Sequence, residues 1–401
     1  MDRLVNTVRP YAWGSTTAIP ALLGVQPTGE PQAELWLGAH PGDSSRLDRG
    51  AGPVELATVI AADPAAELGA ESVEKFGPAL PFLLKVLAAE IPLSLQVHPS
   101  RAQAQAGFAA EDAAGVPVEA GHRNYKDANH KPELICALDE FDGMCGFRDP
   151  LATAALMEEL AVPGLAPLID LLRTKPAEQA LREALATVLS TDPAVVAATI
   201  TELAAALDRQ LVVHPDSPHA LEWAGYAYAA RHFPGDAGVL AALLLNVVRL
   251  QPGEALYLGA GVPHAYLRGT GVEIMANSDN VLRCGLTPKH IDVPELLKVV
   301  VFDASDPGVL RPVADDAGEE LFPVPIDEFR LSRFQLTEGT ERTVDGRAAQ
   351  ILLCTAGAVT LTDATGRALQ LSRGQSAYLP ATGQATALTG RGTLFRATVT
   401  L

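Results

Sequence analysis

Hydrophobic and polar residues alternate most cleanly at Leu93-Ser94-Leu95-Gln96-Val97-His98, where three aliphatic side chains are interleaved with a hydroxyl, an amide and an imidazole. A period of two predicts a strand with one apolar and one polar face, and Pro99 ends it. Gln96 and His98 leave that strand on the same side, about 7 Å apart. A carbonyl oxygen and an imidazole nitrogen can then converge on one small cation. The other reading is a buried strand whose polar groups hydrogen-bond to neighbours, and both readings stand on this stretch alone.

The pattern on either side predicts three regions. Residues 1 to 148 read as mostly β with irregular loops. Pro10-Tyr11-Ala12-Trp13-Gly14-Ser15 is a turn with two aromatics, Glu34 to Gly38 is a short strand, and 54–70 is helical with a break at Asp63-Pro64. Pro81 to Leu87 is an apolar strand containing Lys85, which must snorkel to an edge or face a polar pocket. Residues 101–129 read as a short helix and an exposed loop. From about 150 to 232 the Ala/Leu/Glu spacing becomes helical, giving four or five helices, one starting at Asp192-Pro193. The proline-bounded His214 to His219 stretch reads as a helix connection.

Strand character is expected to resume near Val239. Leu243–Leu250 leads to the turn Gln251-Pro252-Gly253-Glu254, then to Ala255–Leu258, and then to a glycine-rich corner ending in Pro263-His264. Antiparallel barrels of the cupin type deliver a metal-binding histidine this way. The phrase recurs at 371–380 as strand, Arg373-Gly374, strand, Leu379-Pro380, but Ala381 stands where the first copy has His264. The second barrel is therefore expected to pack rather than to bind metal.

Bulk properties narrow the function. With 401 residues, two or three domains are expected. A formal charge of −18 argues against nucleic acid and anionic membrane as partners, yet leaves room for a small anionic substrate in a locally cationic pocket. No signal peptide or membrane-length apolar run is visible. Four scattered cysteines without C-x-x-C spacing suit a reducing cytoplasm.

Polar residues gather in four segments: Ser94/Gln96/His98; His130-Lys131-Pro132-Glu133; Pro263-His264-Ala265-Tyr266; and 271–292, GVEIMANSDNVLRCGLTPKHID. Together with PYAWGS (10–15), AELWLGAHP (33–41), PFLLKVL…PLSLQVHP (81–99), NHKPEL (129–134) and GVPHAYL (261–267), in that order, the chain resembles the type I phosphomannose isomerases. The resemblance implies a fold that is mainly β with α. It has a cupin-like jelly-roll catalytic domain (1–148 plus 233–310), an all-helical insertion (149–232) and a C-terminal cupin-like barrel without metal ligands (311–401). It further implies one Zn²⁺ per chain held by Gln96, His98, Glu133 and His264, a donor set suited to zinc with a position left for water or sugar.

The implied reaction interconverts mannose 6-phosphate and fructose 6-phosphate through a cis-enediol and feeds GDP-mannose metabolism. It needs a proton carrier and a group that stabilises an oxyanion. Arg283 is the candidate cation, Asp279 and Glu273 the candidate carboxylates, and His98 could assist ring opening. Ser94, Lys131 and Lys289 are candidate phosphate or sugar contacts, and Tyr266 and Trp13 could line the pocket, with Trp13 read first as structural. A monomer is expected, with a homo-oligomer left open. The rival readings are a non-catalytic cupin-type sugar-phosphate binder, which has no need of Asp279 and Arg283, and an Fe(II) dioxygenase, which an amide ligand disfavours. A sugar-nucleotide-forming activity lacks the Gly-rich phosphate loop it would need.

Overall fold

The computed structural model describes residues 1–401. Its strands form two large antiparallel sheets with helices grouped against the first. In the first sheet the order is Leu245–Leu250, Phe141–Phe147, His264–Ala276, Phe82–Ala89, Glu34–Leu37 and Thr7–Arg9. Glu133–Ala137 pairs with the long strand and with Ala255–Leu258, while Leu95–Val97 pairs with the long strand and with Leu282–Gly285. The strand His264–Ala276 therefore touches four others and organises the site. The second sheet runs Asp2–Arg3, Ser376–Leu379, Gln350–Thr362, Thr386–Thr398, Arg330–Leu336, Glu319–Phe322 and Val313–Ala314.

Five helices, Pro150–Leu160, Ala166–Thr174, Ala177–Ser190, Pro193–Val213 and Ala220–His232, pack into the expected helical module. The start at Asp192-Pro193 is as read: Pro193 opens the helix, where its missing N–H costs nothing, and the Asp192 carboxylate accepts from Ala194 N–H at 2.9 Å. The first copy of the recurring turn closes with Glu254 N–H on Gln251 O, the second with Gln375 N–H on Ser372 O, both at 2.9 Å. The glycine that takes the left-handed position has φ of 89° and 81° respectively.

Three expectations shift. The run near Val239 is a short helix, Gly238–Ala242, and the strand begins at Leu245. Residues 238–245 are all buried, so no alternation separates helix from strand there. The strand around Gln96 is only Leu95–Val97, because Pro92 and Pro99 remove ladder donors on both sides. Asp2–Arg3 lies in the second sheet, paired with Tyr378 and Ala377, rather than with the segments that follow it in sequence.

Strand Leu282–Gly285 lies flush on helix Gly238–Ala242. Gly285 has φ +139°, and a Cβ on it would stand 2.2 Å from the Gly238 Cα. Gly285→Ala should lower stability by about 2–4 kcal/mol through backbone strain and overpacking. An unchanged thermal midpoint would contradict that close contact.

Candidate metal centre and active-site cleft

Three strand ends bring His98, Glu133 and His264 together. Glu133 opens its strand opposite Met275, and His264 opens the long strand opposite Gln96. His98 follows Val97 directly, and its carbonyl accepts from Gly261 N–H at 2.9 Å. Gly261 turns the corner with φ +78°, where a Cβ would meet Val301 Cγ2 at 2.5 Å, so the corner that aims His264 inward needs glycine.

Both imidazoles have their tautomers set by carbonyls. His98 Nδ1–H donates to Asn280 O at 2.8 Å, and His264 Nδ1–H donates to Val262 O at 2.9 Å. Each Nε2 lone pair then points at the Glu133 carboxylate, His98 at 3.4 Å from Oε1 and His264 at 3.5 Å from Oε2. Burial holds the His98 ring down to about 4, although Glu133 pulls the other way, so the imidazole is neutral near pH 7. Burial alone would raise the Glu133 carboxyl, but Lys131, 3.1 Å from Oε1, holds it well below the usual carboxylate range. The His98 contact is thus lone pair against carboxylate rather than a salt bridge.

His98 and His264 are fully buried, and both Nε2 atoms and Glu133 Oε2 lack any hydrogen-bond partner. Such groups are costly in a dry interior unless a cation lies between them. Donor atoms about 2.1 Å from a tetrahedral zinc stand about 3.4 Å apart, which matches the observed spacings. The three residues fit a divalent transition metal. Gln96, cross-strand from His264 and Arg283, is the neighbouring amide at the edge of the same cluster.

Above the cluster opens a cleft of about 640 Å³. Ser94, Gln96, Lys131, Glu133, Tyr266, Glu273, Asp279, Arg283 and Lys289 line it, and Trp13 stands among them. All the residues singled out from the sequence therefore meet at one cleft, with His98 and His264 forming the fully buried part behind it. Its floor is a buried ionic row across three strands. Lys85 lies 3.2 Å from Glu273 and 3.6 Å from Glu34, Trp36 donates to Glu34 at 2.6 Å, and Tyr266 OH donates to Glu273 at 2.9 Å. Burial alone would lower the Lys85 ammonium, yet Glu34, Glu273 and Glu133 keep it charged. Lys85 thus faces a polar pocket, the second of the two fates open to it. Glu273 is raised, first by burial, with Lys85 opposing. Tyr266 is raised by burial and by Glu273.

The rim differs. Arg283 and Lys289 have no carboxylate partner; burial lowers both, and the nearby guanidinium lowers Lys289 further. Asp279 is exposed, with His40 Nε2 at 3.6 Å. Glu34, Trp36 and Tyr11 also line the cleft and were missed. A charged residue inside the apolar strand 33–37 was the same signal as Lys85, and it went unread.

The family model "Phosphomannose isomerase type I, catalytic domain" matches residues 1–150, and "Mannose-6-phosphate isomerase, cupin domain" matches 319–399. The chain is 43% identical to the mannose-6-phosphate isomerase of Escherichia coli K12 over 399 residues, covering 99% of both. It is 32% identical to the human protein of that name, over 93% of this chain and 92% of that one. The crystal structure of the Salmonella typhimurium enzyme bound to fructose 6-phosphate and zinc is 40% identical, covers both chains fully, and superposes with a TM-score of 0.91.

Because the folded protein keeps His98 neutral to about 4 while an ordinary histidine titrates near 6.5, the unfolded chain takes up a proton first as pH falls. Metal-free protein should therefore lose stability between pH 6.5 and 4, by about 2 kcal/mol from this group at pH 5. Denaturation of chelator-treated protein at pH 7.5 and 5.0 measures it, and His98→Gln should shrink the difference.

Proposed function

Because this chain belongs to the type I phosphomannose isomerase family, we propose that its cleft carries out the family's reaction with Gln96, His98, Glu133 and His264 as zinc ligands. The protein is a zinc-dependent aldose–ketose isomerase that interconverts mannose 6-phosphate and fructose 6-phosphate. The observation that carries the assignment of ligands is the set of three buried, unpartnered donor atoms facing one another beneath a cleft with an unpaired cationic rim.

When bound, zinc supplies Lewis-acid stabilisation for negative charge developing on a sugar oxygen. The chain's own residues do the rest. Arg283, a cation facing no carboxylate, is free to offer its donors to the oxyanion of an enediol. Moving the carbonyl between C1 and C2 requires a carboxylate that takes a proton from one carbon and returns it to the next. Glu273 and Asp279 are the two in the cleft. Burial raises Glu273 above the usual carboxylate range, while Asp279 sits at the solvated rim. Tyr266 and Lys85 fix the Glu273 carboxylate through its two oxygens. His98, neutral and held by its Nδ1–H, can assist ring opening only by way of the site it faces. Lys289 at the rim, with Ser94 and Lys131 deeper in, would receive the phosphate and sugar hydroxyls; a dianion needs such cations in a chain of charge −18.

We further propose the three-part division at 1–148 with 233–310, 149–232 and 311–401. The setting proposed is the cytoplasm, supported by four free, buried cysteines, with the product feeding GDP-mannose formation. A monomer is the proposed working form. No single helix is long and apolar enough to cross a membrane.

A coupled assay of fructose 6-phosphate formation tests the activity; a purified, zinc-loaded chain that binds mannose 6-phosphate without turnover would favour the binding-protein reading instead. His264→Ala should lose both zinc and activity. Arg283→Ala should keep its zinc, read by elemental analysis, and lose about 10²–10³-fold in kcat. Lys289→Ala should raise KM for the phosphorylated sugar about tenfold or more, and a loss confined to kcat would contradict its proposed role.

A further inference from the structure

Residues 277–281 join the long strand His264–Ala276 to Leu282–Gly285 without belonging to either ladder. Backbone groups in such a joint must find partners elsewhere. Here they find the loop 126–129, and Asn280, fully buried, is the centre of the contact. Its Oδ1 accepts from Lys126 N–H at 2.7 Å and Asp127 N–H at 3.2 Å, and its Nδ2 donates to Asp127 O and Asn129 O, both at 2.8 Å. Asp127 answers from the loop side. Its Oδ1 accepts from Ser278 OH and Asn129 N–H, each at 2.9 Å, and its Oδ2 accepts from Asp279 N–H at 2.8 Å.

The clamp reaches the metal cluster through one atom. The Asn280 backbone carbonyl is the acceptor that fixes the His98 tautomer, and the Asn280 side chain, bonded five times to the loop, leaves that peptide little freedom to turn. On the other side the clamped loop runs directly into Lys131 and Glu133. We infer that Asn280 and Asp127 are positioning residues, tying the joint whose carbonyl holds the His98 ring to the loop that leads into Glu133, so that the metal centre is formed before the ion arrives. The inference rests on the reading of His98 and Glu133 as zinc ligands. A clamp that only satisfied backbone groups would affect global stability and nothing more.

Zinc release separates the two. Full-length, zinc-loaded protein is mixed with excess of a chromogenic chelator and the rate of zinc transfer recorded. Asn280→Ala and Asp127→Ala attack the clamp from opposite sides, and each should release zinc about tenfold faster or more, as loss of outer-shell support does elsewhere. Gln350→Ala serves as the structural control: it removes a buried amide from the second sheet, where Gln350 accepts from Arg396. It should lower the thermal midpoint and leave the release rate unchanged. Release from both clamp variants within about twofold of the unmodified protein overturns the inference. So does equal acceleration by Gln350→Ala, since release would then follow global stability. If Asn280→Ala does not fold, Asp127→Ala decides alone. An unmodified chain that takes up no zinc from a defined zinc buffer fails the metal-centre reading itself, before any variant is compared.

Discussion

Two imidazoles and a carboxylate, all dry, face one another across 3.4 and 3.5 Å, with both Nε2 atoms and Glu133 Oε2 lacking hydrogen-bond partners. Left alone this arrangement is repulsive, and in a low-dielectric interior it would relax by protonation or by rotating a side chain out. Rotation is closed off. The Nδ1–H of each ring is tied to a carbonyl, and the Glu133 carboxylate is held by Lys131 as well as by its place at the start of a strand paired on both edges. The fold around the cluster can be understood as whatever keeps those three groups in that unfavourable register until a cation neutralises it. That explains why strand Leu95–Val97 is short and bounded by prolines, and why the corner before His264 is built on a left-handed glycine.

Charge outside the cluster is layered. At the cleft floor, Lys85 is neutralised twice over by Glu34 and Glu273, so it is fixed and has little field to spare for a ligand. At the rim, Arg283 and Lys289 repel each other and have no carboxylate partner. In a protein of net charge −18, uncompensated cations side by side are the exception. Paired charge below and unpaired charge above gives the cleft a direction: an anionic end of a ligand belongs at the mouth and its neutral, hydroxyl-bearing end at the floor, next to the buried cluster.

What the sequence made legible follows the range of each signal. Alternation at 93–98 was local, so the shared face of Gln96 and His98 could be read directly, and the corner at 259–264 announced itself through glycine and Pro-His. The repeated turn at 251–254 and 372–375 was equally local, and both copies fold alike. Glu133 was different: nothing in its own neighbourhood separates a ligand from a partner of Lys131, and in the structure it is a candidate for the one and engaged in the other. Its place came from the family resemblance. Glu34 shows as a charge in an apolar strand, but its place in the cleft depends on the cross-strand register of Trp36 with Lys85 and of Lys85 with Glu273, which no short-range pattern encodes. The run at 238–245 was misread for the opposite reason, since a segment buried on every side carries no period at all.

The same reasoning applies to the second sheet, which has the barrel phrase but an alanine where the first has its histidine. One continuous apolar cluster contains Leu35, Phe82, Leu84 and Ile274 from the first sheet and Leu331, Ile351, Tyr378 and Phe395 from the second. Asp2–Arg3 crosses over to pair with Ser376–Leu379. Polar contacts reach further still: Glu328, from the segment leading into the second sheet, binds both Arg101 and His130, one residue before Lys131. Residues 311–401, which supply none of the cleft lining, therefore share a core with the strands of the cleft and grip the loop that leads to Glu133. Because a dry cluster of facing lone pairs is tolerated only in a rigid frame, mass without ligands is part of how that frame is supplied.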